Sequence, residues 1–120
     1  FGVVDTVRYN NKEALRGFRP ITFSRELMDD FSATLEFLNS KNTRVLLLNT
    51  PVWEPLINAQ RAEYNRSMFL IDSLAREHCP GAEIIDLVPE FSHRTGLFFD
   101  PIHMNPEGQR VVTEALAERI

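Results

Sequence analysis

With only one cysteine, Cys79, among 120 residues, no internal disulfide can form, so the fold must rest on packing alone. The lone thiol reads as inert, and it leaves the redox compartment open. Apolar runs are short: Val45 to Leu48 is typical, far below the ~20 residues a membrane helix needs. The first residues carry no signal-peptide pattern. Basic charge is not in excess either. Thirteen Lys and Arg stand against 17 Asp and Glu, a formal net charge of -4 with no basic stripe, which argues against nucleic acid or an anionic membrane as the main partner. Internal repeats, linkers and low-complexity tracts are missing too. The 43% apolar content suffices for one modest core, so the expectation is a single domain over residues 1–120. The opening Phe1-Gly2-Val3-Val4, without methionine, suggests a fragment or mature piece of a longer chain.

Residues 1 to 22 show two apolar patches among Asn10-Asn11, Gly17 and Pro20 with no clear period, which predicts an edge strand followed by loop. From Ser24 onward the pattern is regular. Leu27, Met28, Phe31, Leu35 and Leu38 recur at helical spacing behind a Ser24 cap, and Asn39 to Asn42 supplies the stop. Arg44 to Leu48, closed by Asn49-Thr50-Pro51, is a nearly unbroken apolar run. It predicts a strand buried on both faces of a parallel sheet, which requires helices on both sides. After a turn over Pro51 to Pro55, Ala62, Met68, Ile71, Leu74 and Ala75 predict a helix of about five turns ending before Pro80-Gly81. Glu83 to Val88 reads as a second buried strand, and strand, helix and strand in that order form a crossover unit. A loop from Pro89 to Met104 then leads to a helix capped by Asn105, with Pro106 in its first turn and Val111, Val112, Ala115 and Leu116 on its buried face. The expected fold is therefore α/β with a parallel sheet. Two strands are too few for a stable three-layer sandwich, so upstream strands or a partner chain, including a second copy, would complete the sheet.

Ligands of open α/β sheets bind beyond the carboxyl ends of the strands, where the Pro51 turn and the Pro89 to Met104 loop should lie. That loop carries Asp100 and His103. Two intervening residues in a tight turn let the carboxylate reach the imidazole, fix its tautomer and stabilise the imidazolium formed when the ring takes a proton. Pro101 stiffens the turn, and Gly108, lacking a side chain, lets the last helix approach its neighbours closely.

The block Phe98-Phe99-Asp100-Pro101-Ile102-His103-Met104-Asn105-Pro106-Glu107-Gly108, followed by an apolar helix, resembles the closing motif of the SGNH (GDSL-type) hydrolase superfamily. Leu46 to Trp53 looks like that superfamily's late strand with its Pro turn, and Glu83 to Leu87 like its last strand. The Asp-Pro-x-His-x-Asn form is most similar to the cell-surface O-acyltransferase-like branches. The resemblance covers residues 24 to 120 and implies a three-layer flavodoxin-like fold of which this chain carries the later strands and helices. By the same resemblance, His103 is the general base and Asp100 its orienting carboxylate in acyl transfer through a seryl ester, acting on an acylated small molecule or glycan. No cofactor and no metal are implied, and the setting would be extracytoplasmic or at the cell envelope. The superfamily's Gly-Asp-Ser nucleophile block and its glycine and asparagine oxyanion blocks are not in this sequence. Ser24, Ser32, Ser40, Ser67, Ser73 and Ser92 all read as structural, with Ser92 nearest the loop, and the isolated chain is expected to be nearly inactive.

Other readings compete. His93, Asp100 and His103 share one loop and could ligate zinc, although their spacing matches no closed zinc pattern. In a non-catalytic binding or scaffolding module, Asp100 and His103 would only staple the last helix. Trp53 is then either an exposed aromatic platform for a glycan or protein, or a core residue beneath the turn. Asn49 reads as turn chemistry before Pro51, rather than as an oxyanion donor. Phe98 and Phe99 read as core anchors, and His78 as a cation at a helix end. Arg61, Glu63 and Arg66 read as a solvated helix face.

Overall fold

The computed structural model describes residues 2–15 and 17–120, apart from the side chain of Lys12. The elements are α1 (Lys12–Leu15), α2 (Arg25–Ser40), β1 (Leu46–Asn49), α3 (Glu54–Ala59), α4 (Arg61–His78), β2 (Glu83–Asp86), α5 (Val88–Phe91), a 3-10 turn (Thr95–Leu97) and α6 (Pro106–Arg119). The chain divides into two compact units, each assembled from discontinuous segments. The first comprises Phe1–Arg19, Asn49–Ala59 and Asp86–Ile120; the second comprises Pro20–Leu48 and Gln60–Ile85.

The second unit holds the two long helices. Ser24, in extended backbone, caps α2 by accepting a hydrogen bond from the Leu27 amide at 3.3 Å. The far end closes as the Asn39 to Asn42 stop predicts. Asn42 takes a left-handed φ of 54°, while the Thr43 amide donates to Leu38 and the Asn42 amide to Asn39, which satisfies the carbonyls a helix end leaves open. The 18 residues of α4 make the expected five turns. Leu35 of α2, Ala75 at the far end of α4, Cys79 and Val45 form a buried cluster, with Phe31, Leu38, Leu47 and Ala82 packed against it. The Cys79 thiol is free and sealed in this cluster.

Among the described residues the sheet consists of β1 and β2. The Glu83 amide donates to Val45 at 3.0 Å and the Leu87 amide to Asn49 at 3.1 Å, and the equal sequence offset of these pairs marks parallel strands. One expectation is corrected here: no residue of β1 or of β2 is fully buried, and Leu48 is 41% exposed. Alternation along the strand explains this. Val45 and Leu47 reach the helix-packed cluster, whereas Leu46 and Leu48 are not part of it.

In the first unit Val4, Leu15, Trp53, Leu56, Ile57, Leu87, Phe91, Leu97 and Phe98 are buried. Among the described residues the predicted N-terminal edge strand is not there. Asp5 Oδ1 accepts from the amides of Val7 and Arg8, each at 3.0 Å, and Asn11 Oδ1 accepts from Ala14 at 2.9 Å to start α1. Short polar side chains have captured backbone donors that a strand would have paired elsewhere. Phe1 and Arg16 of that predicted segment lie outside the described residues. Two more short helices, α3 and α5, and the 3-10 turn occupy segments read from sequence as turn and loop. Each is too brief for an apolar period to show.

Candidate functional site

The frame of the site is the start of α6. Asn105 Oδ1 accepts from the Gly108 amide at 2.9 Å, and its Nδ2 donates to the Gly96 carbonyl at 2.8 Å and the Gly2 carbonyl at 3.3 Å. One largely buried amide thus caps the helix and ties it to the preceding 3-10 turn and to the N-terminal segment of the first unit. The Asn105 amide donates to Leu97 at 3.0 Å, and Phe98 pairs with Met104 in an antiparallel bridge, so residues 99–103 form a closed loop. Gly108 makes this approach possible. A Cβ there would overlap the Leu97 carbonyl oxygen and lie 3.1 Å from both its carbonyl carbon and its Cβ.

Within the loop, Asp100 Oδ1 accepts from the amides of Ile102 and His103, both at 2.8 Å, and the Phe99 amide donates to the His103 carbonyl at 2.8 Å. Pro101 is buried, and its carbonyl accepts from the Trp53 amide at 2.9 Å. The loop is therefore pinned from inside by a carboxylate and from outside by the chain leading into α3.

Asp100 also reaches the imidazole: His103 Nδ1 lies 2.8 Å from Oδ2 and 3.0 Å from Oδ1. Burial alone would raise the Asp100 pKa, but hydrogen bonds from the His103 side chain and from the Ile102 and His103 amides outweigh it and hold the carboxyl below its ordinary value of 3.8. An ionised carboxylate only accepts hydrogen bonds, so Nδ1 carries the proton and, in the neutral ring, Nε2 carries the free lone pair. The Asp100 side chain is 27% exposed and the His103 side chain 64%, so the carboxylate sits beneath a ring open to solvent. Among the described residues Nε2 makes no hydrogen bond. This arrangement can accept a proton at Nε2 and stabilise the resulting cation from behind.

No family model, curated protein or solved structure matches the chain.

The remaining sequence candidates fall elsewhere. Ser92 is the one serine in the unit that carries Asp100 and His103. It is completely buried and among the described residues its Oγ has no hydrogen-bond partner, so it presents no nucleophile to solvent. Ser32, Ser40 and Ser73 each donate to a carbonyl of their own helix. The aromatic-platform reading of Trp53 is overturned: the residue is 4% exposed, its Nε1 donates to Thr95 Oγ1 at 3.2 Å, and the Tyr9 ring packs edge-on against it at 6.4 Å. Trp53 thus supports the site through its backbone, a role that depends on tertiary contact and leaves no mark in local sequence. Phe98 is fully buried as expected, but Phe99 is 44% exposed, because the bridge to Met104 turns neighbouring side chains to opposite sides. Asn49 ties the strand ends together by donating from Nδ2 to Asp86 Oδ1 at 2.9 Å. His78 Nδ1 lies 2.6 Å from Glu36 Oε1, linking the ends of α2 and α4. Among the described residues no three His, Cys, Asp or Glu side chains cluster to hold a metal ion, so His93 is not brought together with Asp100 and His103 as a ligand set. No described helix is long and apolar enough to cross a membrane.

Proposed function

We propose that Asp100 and His103 are the orienting carboxylate and general base of an SGNH-type acyl ester hydrolase or O-acyltransferase site. The finer fold that goes with this reading is a three-layer flavodoxin-like sheet to which the chain contributes late strands and helices. Support comes from one observation above all: the 2.8 Å contact from Asp100 Oδ2 to His103 Nδ1, in a loop pinned on both sides, with the ring exposed.

In such a site Nε2 takes the proton of a serine hydroxyl as that oxygen bonds to the acyl carbon. The proton then passes to the departing alcohol oxygen as its bond to the acyl carbon breaks. A water or an acceptor hydroxyl reverses the sequence and frees the serine. Since Ser92 is sealed and no Gly-Asp-Ser block is in the sequence, the nucleophile and the oxyanion donors come from outside these residues. The substrate class is an acylated small molecule or glycan, the setting extracytoplasmic.

A second reading, a binding or scaffolding module in which the pair only staples α6, is favoured by the two amide bonds that Asp100 Oδ1 accepts. Hydrolysis of p-nitrophenyl acetate by the folded chain separates the two, because that ester is reactive enough to report a competent imidazole without a serine. An imidazole poised for catalysis loses about tenfold of its rate in His103→Ala and less in Asp100→Asn, while His93→Ala is unchanged. Equal rates in His103→Ala and His93→Ala, with both variants folded, would leave the staple reading.

A further inference from the structure

The two-stranded sheet leaves one edge of β1 without a partner. The Glu83 amide donates to Val45 and the Leu87 amide to Asn49, so residues 45, 47 and 49 turn their backbone groups toward β2. These directions alternate along a strand, and the N–H and C=O of Leu46 and Leu48 therefore face the opposite edge. Among the described residues none of these groups has a hydrogen-bond partner. Nor does the sequence guard this edge. β2 begins and ends on the exposed carboxylates of Glu83 and Asp86, the kind of charge that keeps an edge strand from pairing, whereas β1 is Leu-Leu-Leu-Asn with Leu48 41% exposed.

An open groove of about 370 Å³ lies along the same edge. Leu47 and Leu48 both line it, and β2 contributes nothing among the described residues. Successive strand side chains project to opposite faces, so a groove that touches both of these residues follows the edge of β1 rather than one face of the sheet. Leu27, Met28 and Phe31 of α2 and Leu70, Ile71 and Leu74 of α4 form its apolar wall, and no lining residue is charged. From residue 24 to residue 31 the α2 wall runs about 10 Å, the length of about three extended residues, which matches the short span of β1. A hydrocarbon chain would fill this groove but leave the N–H and C=O groups of Leu46 and Leu48 covered and unpaired; a peptide strand satisfies them. A charged segment would lose its hydration against a wall that offers no counter-charge.

We propose that β1 accepts an added strand at this edge: an extended, uncharged, apolar stretch of a partner polypeptide, hydrogen-bonded to the backbone of Leu46 and Leu48 with alternate side chains against α2 and α4. The inference stands apart from the roles of Asp100 and His103.

Residue-resolved amide hydrogen exchange of the full chain tests it. The probe is an end-capped peptide of alternating valine and threonine, with one lysine outside each end for solubility. In the free chain the Leu46 and Leu48 amides should exchange quickly. Peptide at about ten times its dissociation constant should slow both about tenfold, with Ile84 and Asp86, on the outer edge of β2, unchanged. A polyproline peptide of equal length, which has no N–H donors, should give no protection. Leu27→Asp, which sets a carboxylate in the wall at a position 69% exposed where folding is not at stake, should abolish the effect of the first peptide. No saturable protection, protection at Ile84 and Asp86 instead, equal protection by polyproline, or binding unchanged in Leu27→Asp would overturn the proposal. Leu46 and Leu48 amides already protected in the free chain would overturn it equally, and loss of that protection on dilution would make a second copy of the chain the occupant.

Discussion

Asp100 performs three tasks with two oxygens: it closes its own turn through the Ile102 and His103 amides, fixes the His103 tautomer, and faces the imidazolium once that ring is charged. These bonds favour the ionised form, so the native carboxyl is harder to protonate than the unfolded one. The native state therefore gains stability that is complete above the ordinary carboxylate value of 3.8 and fades as pH falls through the lowered native value. Asp100→Asn should consequently be less stable than wild type at neutral pH, with the gap narrowing on acidification below pH ~4. Urea unfolding at a series of pH values reads this directly, and a gap that stays constant would mean the carboxylate is not held as described. The contact itself was legible in the sequence, because three residues and a proline constrain it locally. The burial of Trp53 and the exposure of Phe99 were not, because each depends on which distant segment arrives beside it.

At the scale of elements, end signals were the most readable features. Ser24 and Asn105 cap their helices through side-chain oxygens as their positions predict, and Asn42 takes the left-handed conformation that stops α2. What the sequence hid were elements of one to two turns, α1, α3 and α5, in which no periodicity can develop. The junction of α6 with the 3-10 turn is the element contact on which the site depends, and it hangs on Gly108. Gly108→Ala gains helix preference of about 1 kcal/mol but must displace the Leu97 backbone, an overpacking cost of about 1–3 kcal/mol or more. Net destabilisation is expected, together with loss of the geometry of the loop. Gly81→Ala, where a Cβ meets nothing within 4 Å, should be close to neutral in the same thermal-denaturation series. Comparable melting temperatures for the two variants would remove the close-approach explanation.

Across the whole molecule, the α/β class and the parallel strand pair were readable from two apolar runs separated by a helical pattern. The division into two units and the half-open face of β1 were not, because local pattern does not reveal how many layers a strand receives. The first unit holds a carboxylate in contact with an imidazole, and its one serine is sealed away. A fluorophosphonate probe should accordingly leave every serine of the folded chain unlabelled. Labelling of Ser92 that disappears in His103→Ala would instead make the site complete within this chain. Beneath both outcomes lies the protonation of a single ring, so the decisive measurement is a long-range ¹H–¹⁵N correlation spectrum of the His103 imidazole in the full folded chain, at a pH where the ring is neutral. Nitrogen shifts of the Nδ1–H tautomer, lost or weakened in Asp100→Asn, are what the geometry predicts. A ring protonated at Nε2, or one indifferent to Asp100, would contradict the assignment of His103 as a base.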